Sequence, residues 1–272
     1  MNPFLSVSER HNWGPGSLEM ALPLVEALGI RPGMRVLEVG AGSGQIASVL
    51  AKHWDVSVVT LEPWHGGEGV QIFAAREGVG QRVLALKLYA QDMPFANGTF
   101  DAVLSIGSFE MIGDDRPKAL AEMVRVARAG AAVGIAEPMC LPGDMPPDLR
   151  VLDDATLRCE YYFRTVDWAR RLFEANGLTV SEACYFADGY RWWVENLAQY
   201  DAPGAEAELI RRDGGRWLSL GMVVGRKTGD GIPGRSPASA RVGSSGLQAR
   251  GGAIGRLPSA HTLGGRATGM GH

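Results

Sequence analysis

The stretch VLEVGAGSGQIA, residues 36–47, is an apolar run that reaches an acid, Glu38, and then breaks into glycines at 40, 42 and 44. A plain strand-to-helix turn needs one glycine at most. Three at alternate positions mark backbone that takes φ values closed to a Cβ, or that passes close to another group. Upstream, MRVLEV (34–39) is short and apolar, as a buried strand is. Downstream, Ile46, Val49 and Leu50 fall at helical spacing. The turn joins a strand to a helix, with glycines where something must be admitted.

The same alternation continues along the chain. DVSVVTLE (55–62), RVLALKL (82–88), FDAVLSIG (100–107) and AAVGIAEP (131–138) read as strands two to five. Segments 68–77 and 116–130 read as helices, the second with Pro117 near its start and Gly130 behind its end. Prolines make 140–150 a loop. TVDWARRLFEANGL (165–178) is a helix capped by Thr165 and closed at Asn176-Gly177. LTVSEACYF, starting at Leu178, is strand six and 215–227 is strand seven, with helix between them around Trp192 and Trp193. Strands alternating with helices imply an α/β fold with parallel pairing and helices on both faces.

The 272 residues are 46% hydrophobic and 21% charged, the make-up of a soluble globular chain with a sizeable core. Composition changes near residue 229. Residues 229–272 hold no aromatic and one acid, Asp230, against five arginines, and predict a disordered Gly/Arg/Ser-rich tail. The net charge is −3; the tail contributes +4 of it, which leaves −7 on residues 1–228. A body of that sign does not favour nucleic acid. No run is long and apolar enough to span a membrane, and the N-terminus has no basic segment leading into an apolar one. Three cysteines without C-x-x-C spacing suggest neither a disulfide framework nor a metal site, so the expected location is cytoplasmic.

Two readings compete for the glycine turn. Gly42-Ser-Gly44-Gln-Ile-Ala47 fits G-x-G-x-x-A with an acid, Glu62, twenty residues beyond Gly42, which points to a nicotinamide or flavin enzyme. Glu38-x-Gly40-x-Gly42-x-Gly44 resembles motif I of the class I S-adenosylmethionine-dependent methyltransferases. Later segments favour the second: Met93-Pro94-Phe95, Phe100-Asp101-Ala102-Val103 and Glu122-Met-Val-Arg125-Val126 resemble that family's L-P-F step, F-D-x-V strand and E-x-x-R-V helix. The resemblance covers roughly residues 12–227, and the final segments look like a bacterial, small-molecule subgroup.

The resemblance implies a Rossmann-like, doubly wound, mostly parallel seven-stranded sheet whose last strand is antiparallel. It implies one domain over 1–228, with an N-terminal cap or arm (1–33), a cofactor-binding core (34–138) and substrate-side strands (139–228). It implies S-adenosylmethionine as cofactor, with Glu38 near its methionine end, Gly40, Gly42 and Gly44 admitting the adenosyl part, and Glu62 on the ribose hydroxyls. Ile106, on the fourth strand, joins them. The family's adenine-gripping aspartate is missing: Tyr89 and Ala90 stand there, and either Asp92 takes over through a shifted loop or the Ala90 backbone and the Tyr89 ring hold the adenine without a carboxylate. No metal site is expected. The acceptor is expected to be a small molecule over strands four and five, with no role for a membrane or nucleic acid.

For catalysis, Glu110 is either a base or acceptor-positioning group, or a solvated carboxylate beside the next helix. His11 and Trp13, ahead of Gly14-Pro15-Gly16, suit a lid or a packed arm. Trp168, Trp192 and Trp193 suit an aromatic wall or plain core, and Glu137 a pocket acid or a structural one. A nicotinamide oxidoreductase and a non-catalytic cofactor-binding subunit remain the rival functions.

Overall fold

The buried strands can be read from their own residues. Arg35–Val39 (β1) is apolar beyond its exposed first residue except for Glu38, and it lies inside the sheet, paired in parallel with Ser57–Leu61 (β2) and Phe100–Ile106 (β4). Val83–Leu86 (β3) continues the parallel run on one side. On the other side follow Ala127–Cys140 (β5), Leu218–Lys227 (β7) and Leu178–Tyr185 (β6), with β7 antiparallel to both neighbours. The order is β3-β2-β1-β4-β5-β7-β6. The computed structural model describes residues 2–6, 14–64, 67–150, 159–200 and 205–228, which fall within one compact unit, Met1–Gly231. His11, Trp13 and the 229–272 tail lie outside the described residues.

The pleat of β1 sends Val36 into one core and Leu37 into the other. The first core is covered by Ser17–Leu28 (α1), Gln45–His53 (α2) and Glu68–Arg76 (α3). The second is covered by Arg116–Val126 (α4) and Val166–Ala175, numbered α6 after the single turn Pro147–Arg150 (α5). Gly189–Tyr200 (α7) and Ala205–Asp213 (α8) lie between β6 and β7 in the chain. Asp213 fixes the start of β7 by accepting the N–H groups of Gly215, Trp217 and Leu218.

Two boundaries differ from the sequence reading. The helix expected to run to Gly130 ends at Val126, because Ala127 is already extended (ψ 136°). It pairs with Phe100, after which the register jumps to Ala102↔Ala132, so Arg128–Ala131 bulge out and Arg128 meets Asp101 at 2.7 Å. The second concerns the arm. Residues 17–28 form α1, held between left-handed Gly16 and Gly29, with Leu18, Ala21, Leu24, Val25 and Leu28 buried. Pro23 masks this in the sequence, yet the helix is core: a Cβ at Gly134 of β5 would strike Leu24.

The motif residues outside the turn are scaffold. Arg125 donates to Phe95 O (2.7 Å) and Met93 O (2.8 Å), and Glu122 accepts Met93 N–H at 2.9 Å. E-x-x-R is thus a clamp on Met93-Pro94-Phe95. Phe95 meets Phe100 edge to face, and Asp101 accepts the N–H of Arg35 at the start of β1.

Candidate active site

Between β1 and β4 the strand order reverses, and the crevice beyond the carboxyl ends at such a point is where α/β sheets bind ligands. The glycine turn leaves β1 there. Gly40 and Ala41 donate to Leu61 O at 2.9 and 3.0 Å, which ties the turn to β2. Gly40 (φ 87°) has no room for a side chain, since a Cβ would overlap Ser108 beyond β4. Gly44 (φ 84°) caps α2, and its Cβ would lie 2.6 Å from Val70 of α3. The sequence question has a concrete answer: two of the glycines admit neighbouring elements, and Gly42 carries the backbone between them.

Gly42 donates its N–H to Glu62 Oε2 at 3.0 Å, and Trp64 N–H reaches Oε1 at the same distance. Glu38 is buried beneath the turn and accepts from Thr60 Oγ1 at 2.6 Å. Burial pushes its pKa up to about 8, with the charge of Glu62 adding and the Thr60 bond opposing. Glu38, Gly40, Gly42, Gly44 and Glu62 therefore come together as the spacing predicted. Ile106 is buried in the core that also holds Ala41 and Ile46, and Ala90 packs in the core that holds Val39 and Leu61. Asp92 is exposed and its charge acts on Arg125, so it does not join them; Tyr89 is 60% exposed.

On the β4–β5 side, Glu110 opens a 3-10 turn (Glu110–Asp115). It is only 4% exposed, which corrects its reading as a solvated carboxylate. It hydrogen-bonds with Glu137 of β5, itself 2% exposed. Burial raises Glu110 to about 7 and Glu137 well above the ordinary range, where the charge of Glu110 adds to the effect. Facing them is Arg116, buried at the first position of α4, donating to Gly113 O and Tyr162 O at 2.7 Å. Its guanidinium lies 4.9 Å from the Trp168 ring centroid.

Trp168 thus carries a cation of the protein's own, while Trp193 is buried core against Phe163 and Trp192 packs on Phe186. Arg116 escaped the sequence reading. Its one signal was a cation at a helix N-terminus, where the dipole disfavours it. Among the described residues no helix is long and apolar enough to cross a membrane, and no cluster of metal-ligating side chains forms.

Residues 37–135 match the family described as Methyltransferase domain. The chain is similar to the cyclopropane-fatty-acyl-phospholipid synthase of Escherichia coli (strain K12), 33% identical over 121 residues, 42% of this chain and 29% of that protein. It is similar to an O-methyltransferase of Pyrenophora dematioidea, 32% identical over 134 residues, 47% of this chain and 48% of that protein. The chain thus spans less than half the length of either relative. Among solved structures, the geranyl diphosphate C-methyltransferase from Streptomyces coelicolor A3(2) shares the fold, with a TM-score of 0.66 over 77% of this chain and 79% of that one at 14% identity. The matched segment carries the glycine turn and the strands from β1 into β5, and the sheet around it is the fold that these methyltransferase structures share.

Proposed function

We propose that this protein transfers a methyl group from S-adenosylmethionine to a small-molecule acceptor. The observation that carries the reading is Glu62, a carboxylate fixed just beyond β2 by the N–H groups of Gly42 in the glycine turn and of Trp64. A carboxylate held at that place beside the glycine turn suits a pair of ribose hydroxyls. The residues present fit the cofactor in charge as well: it is cationic at sulfur and nitrogen, and acids rather than bases border the turn. When bound, it supplies an electrophilic methyl group, and the C–S bonding electrons stay with sulfur.

The chain's own part is placement. Glu62 holds the ribose, Gly40 and Gly44 pack the turn against Ser108 and Val70 so that Gly42 presents its backbone to the cofactor, Glu38 supports the turn from below, and Ala90 and Ile106 supply apolar walls. Alignment and exclusion of water do most of the work in such a displacement. The −7 charge on residues 1–228 supports a small acceptor over a nucleic acid. A cytoplasmic site of action belongs to the same proposal.

Calorimetric titration of the full chain with S-adenosylhomocysteine and with NAD tests it. Binding of S-adenosylhomocysteine alone is expected. Binding of NAD instead makes the protein an oxidoreductase. Tight S-adenosylhomocysteine binding without labelled-methyl transfer to any metabolite in an extract makes it a non-catalytic subunit.

A further inference from the structure

The ends of β4 and β5 bring together a carboxyl pair that cofactor binding leaves unused. Gly107 N–H donates to Ala136 O at 2.8 Å, joining the two backbones one residue before Glu137. Glu110 and Glu137 are both buried, and their carboxyl groups hydrogen-bond to each other. Neither Oε2 has a donor among the described residues. Ionised carboxylates are acceptors only, so a bond between two of them requires a proton of its own. One proton leaves one negative charge, matched by the buried Arg116. The pair also adjoins the cofactor crevice: Ser108, two residues before Glu110, is the side chain that a Cβ at Gly40 would strike.

Building on the methyl-transfer reading, we propose that Glu110 and Glu137 act as one acid–base unit that takes the proton of an acidic hydroxyl acceptor, a phenol or an enol. As the acceptor oxygen bonds the methyl carbon, its O–H bond breaks and leaves that electron pair on oxygen. The proton goes to the ionised oxygen of the pair. Both carboxyls are then protonated, and one proton returns to water before the next turnover. Arg116 at the start of α4 is the charge that acts on the pair, and Asp114 in the preceding turn and Arg164 ahead of α6 act in turn on Arg116.

Matching of acid and base selects the acceptor. Glu110 is raised to about 7, whereas phenols ionise near about 10, within reach of such a base. Aliphatic hydroxyls are far less acidic and lie outside that reach. Tertiary amines and thioethers have no proton to lose, so the pair would be idle for them. Below pH about 7 both carboxyls hold protons and the base is lost, so turnover should rise with pH through that value.

The test compares the full-length protein with Glu110→Gln and Glu137→Gln. S-adenosylhomocysteine affinity should agree within about threefold among all three; its loss in the parent protein overturns the methyl-transfer reading, not the pair. Infrared difference spectra, parent minus Glu137→Gln, cancel the buried Glu38 and should show a protonated carboxyl persisting above pH 8. Absence of that band overturns the shared proton. Labelled transfer from S-adenosylmethionine to a panel of phenols and enols should exceed that to tertiary amines and thioethers, and fall about a hundredfold in either variant. Methylation confined to amines or thioethers, rates undiminished in the variants, or no labelled phenol or enol from protein that binds S-adenosylhomocysteine overturns the proposal.

Discussion

The two sides of the crevice set the same problem, acids buried at strand ends, and solve it differently. On the β1–β2 side the acids are served by fixed donors: Thr60 reaches Glu38, while Gly42 and Trp64 reach Glu62. On the β4–β5 side Glu110 and Glu137 serve each other, with Arg116 facing them. Fixed donors make a rigid binding surface. A shared proton makes a site whose charge changes near neutral pH, which suits chemistry better than attachment.

The difference breaks first if Arg116 proves dispensable. Arg116→Met removes the cation facing the pair and leaves Gly113 O and Tyr162 O without their donor. Removing one partner from a buried charge cluster costs about 3–5 kcal/mol, to be read from urea unfolding at pH 7. A loss under about 1 kcal/mol would mean that the pair is held neutral without it.

Glu38 gives the next effect, of opposite sign. Its pKa is raised from 4.5 to about 8, so between those values the folded chain keeps a proton that the unfolded chain releases. Stability therefore falls as pH rises across that window, by at most about 1.4 kcal/mol per unit, and levels off above it. Glu38→Gln cannot titrate. It should match the parent protein near pH 4.5 and exceed it by about 3 kcal/mol at pH 7, compared by unfolding at several pH values. An unchanged gap across pH would show Glu38 ionised and paired.

Glu62 separates binding from chemistry. Glu62→Ala strips the acceptor from Gly42 N–H, Trp64 N–H and the proposed ribose, and S-adenosylhomocysteine affinity should fall by about 2 kcal/mol, roughly 30-fold. Glu137→Gln, on the other side, should leave that affinity alone. If both variants weaken binding equally, the crevice is one site and the division fails.

What could be seen in the sequence follows the same division. Glu38, the glycines and Glu62 lie on consecutive elements, so local spacing carries them into one place. Alternation gave the parallel pairing, while the doubly wound sheet that makes this a switch point came from the family resemblance. Glu110, Arg116, Glu137 and Trp168 come from four elements, and only the sheet register and the packing of α6 bring them together. No spacing rule joins Glu110 to Glu137. The α1 helix escaped because Pro23 interrupts an otherwise regular apolar face, and β5 began early because a bulge hid its first pairing. Asp92 is legible only in part: its position suggested the adenine, and the structure leaves it exposed with its charge acting on Arg125.

The smallest effect concerns the clamp, and it decides whether the family-like motif is scaffold or site. Glu122 accepts Met93 N–H and pairs with Arg125, whose Nε lies 2.6 Å from Oε1. The Arg125 bond holds the Glu122 carboxyl below the usual glutamate range. A depressed acid stabilises the fold above its unfolded pKa, and the gain is lost as pH falls through the folded one. Glu122→Gln keeps an acceptor for Met93 but gives up the charge, so it should cost about 1 kcal/mol at pH 7 and nothing measurable once the carboxyl is protonated in acid. S-adenosylhomocysteine affinity should stay within about twofold, since every bond that the clamp makes runs to Met93, Phe95, Asn97 or within α4. A tenfold fall in affinity with unchanged stability would move the motif from the scaffold into the binding site, and with it the adenine contact that Tyr89 and Asp92 leave open.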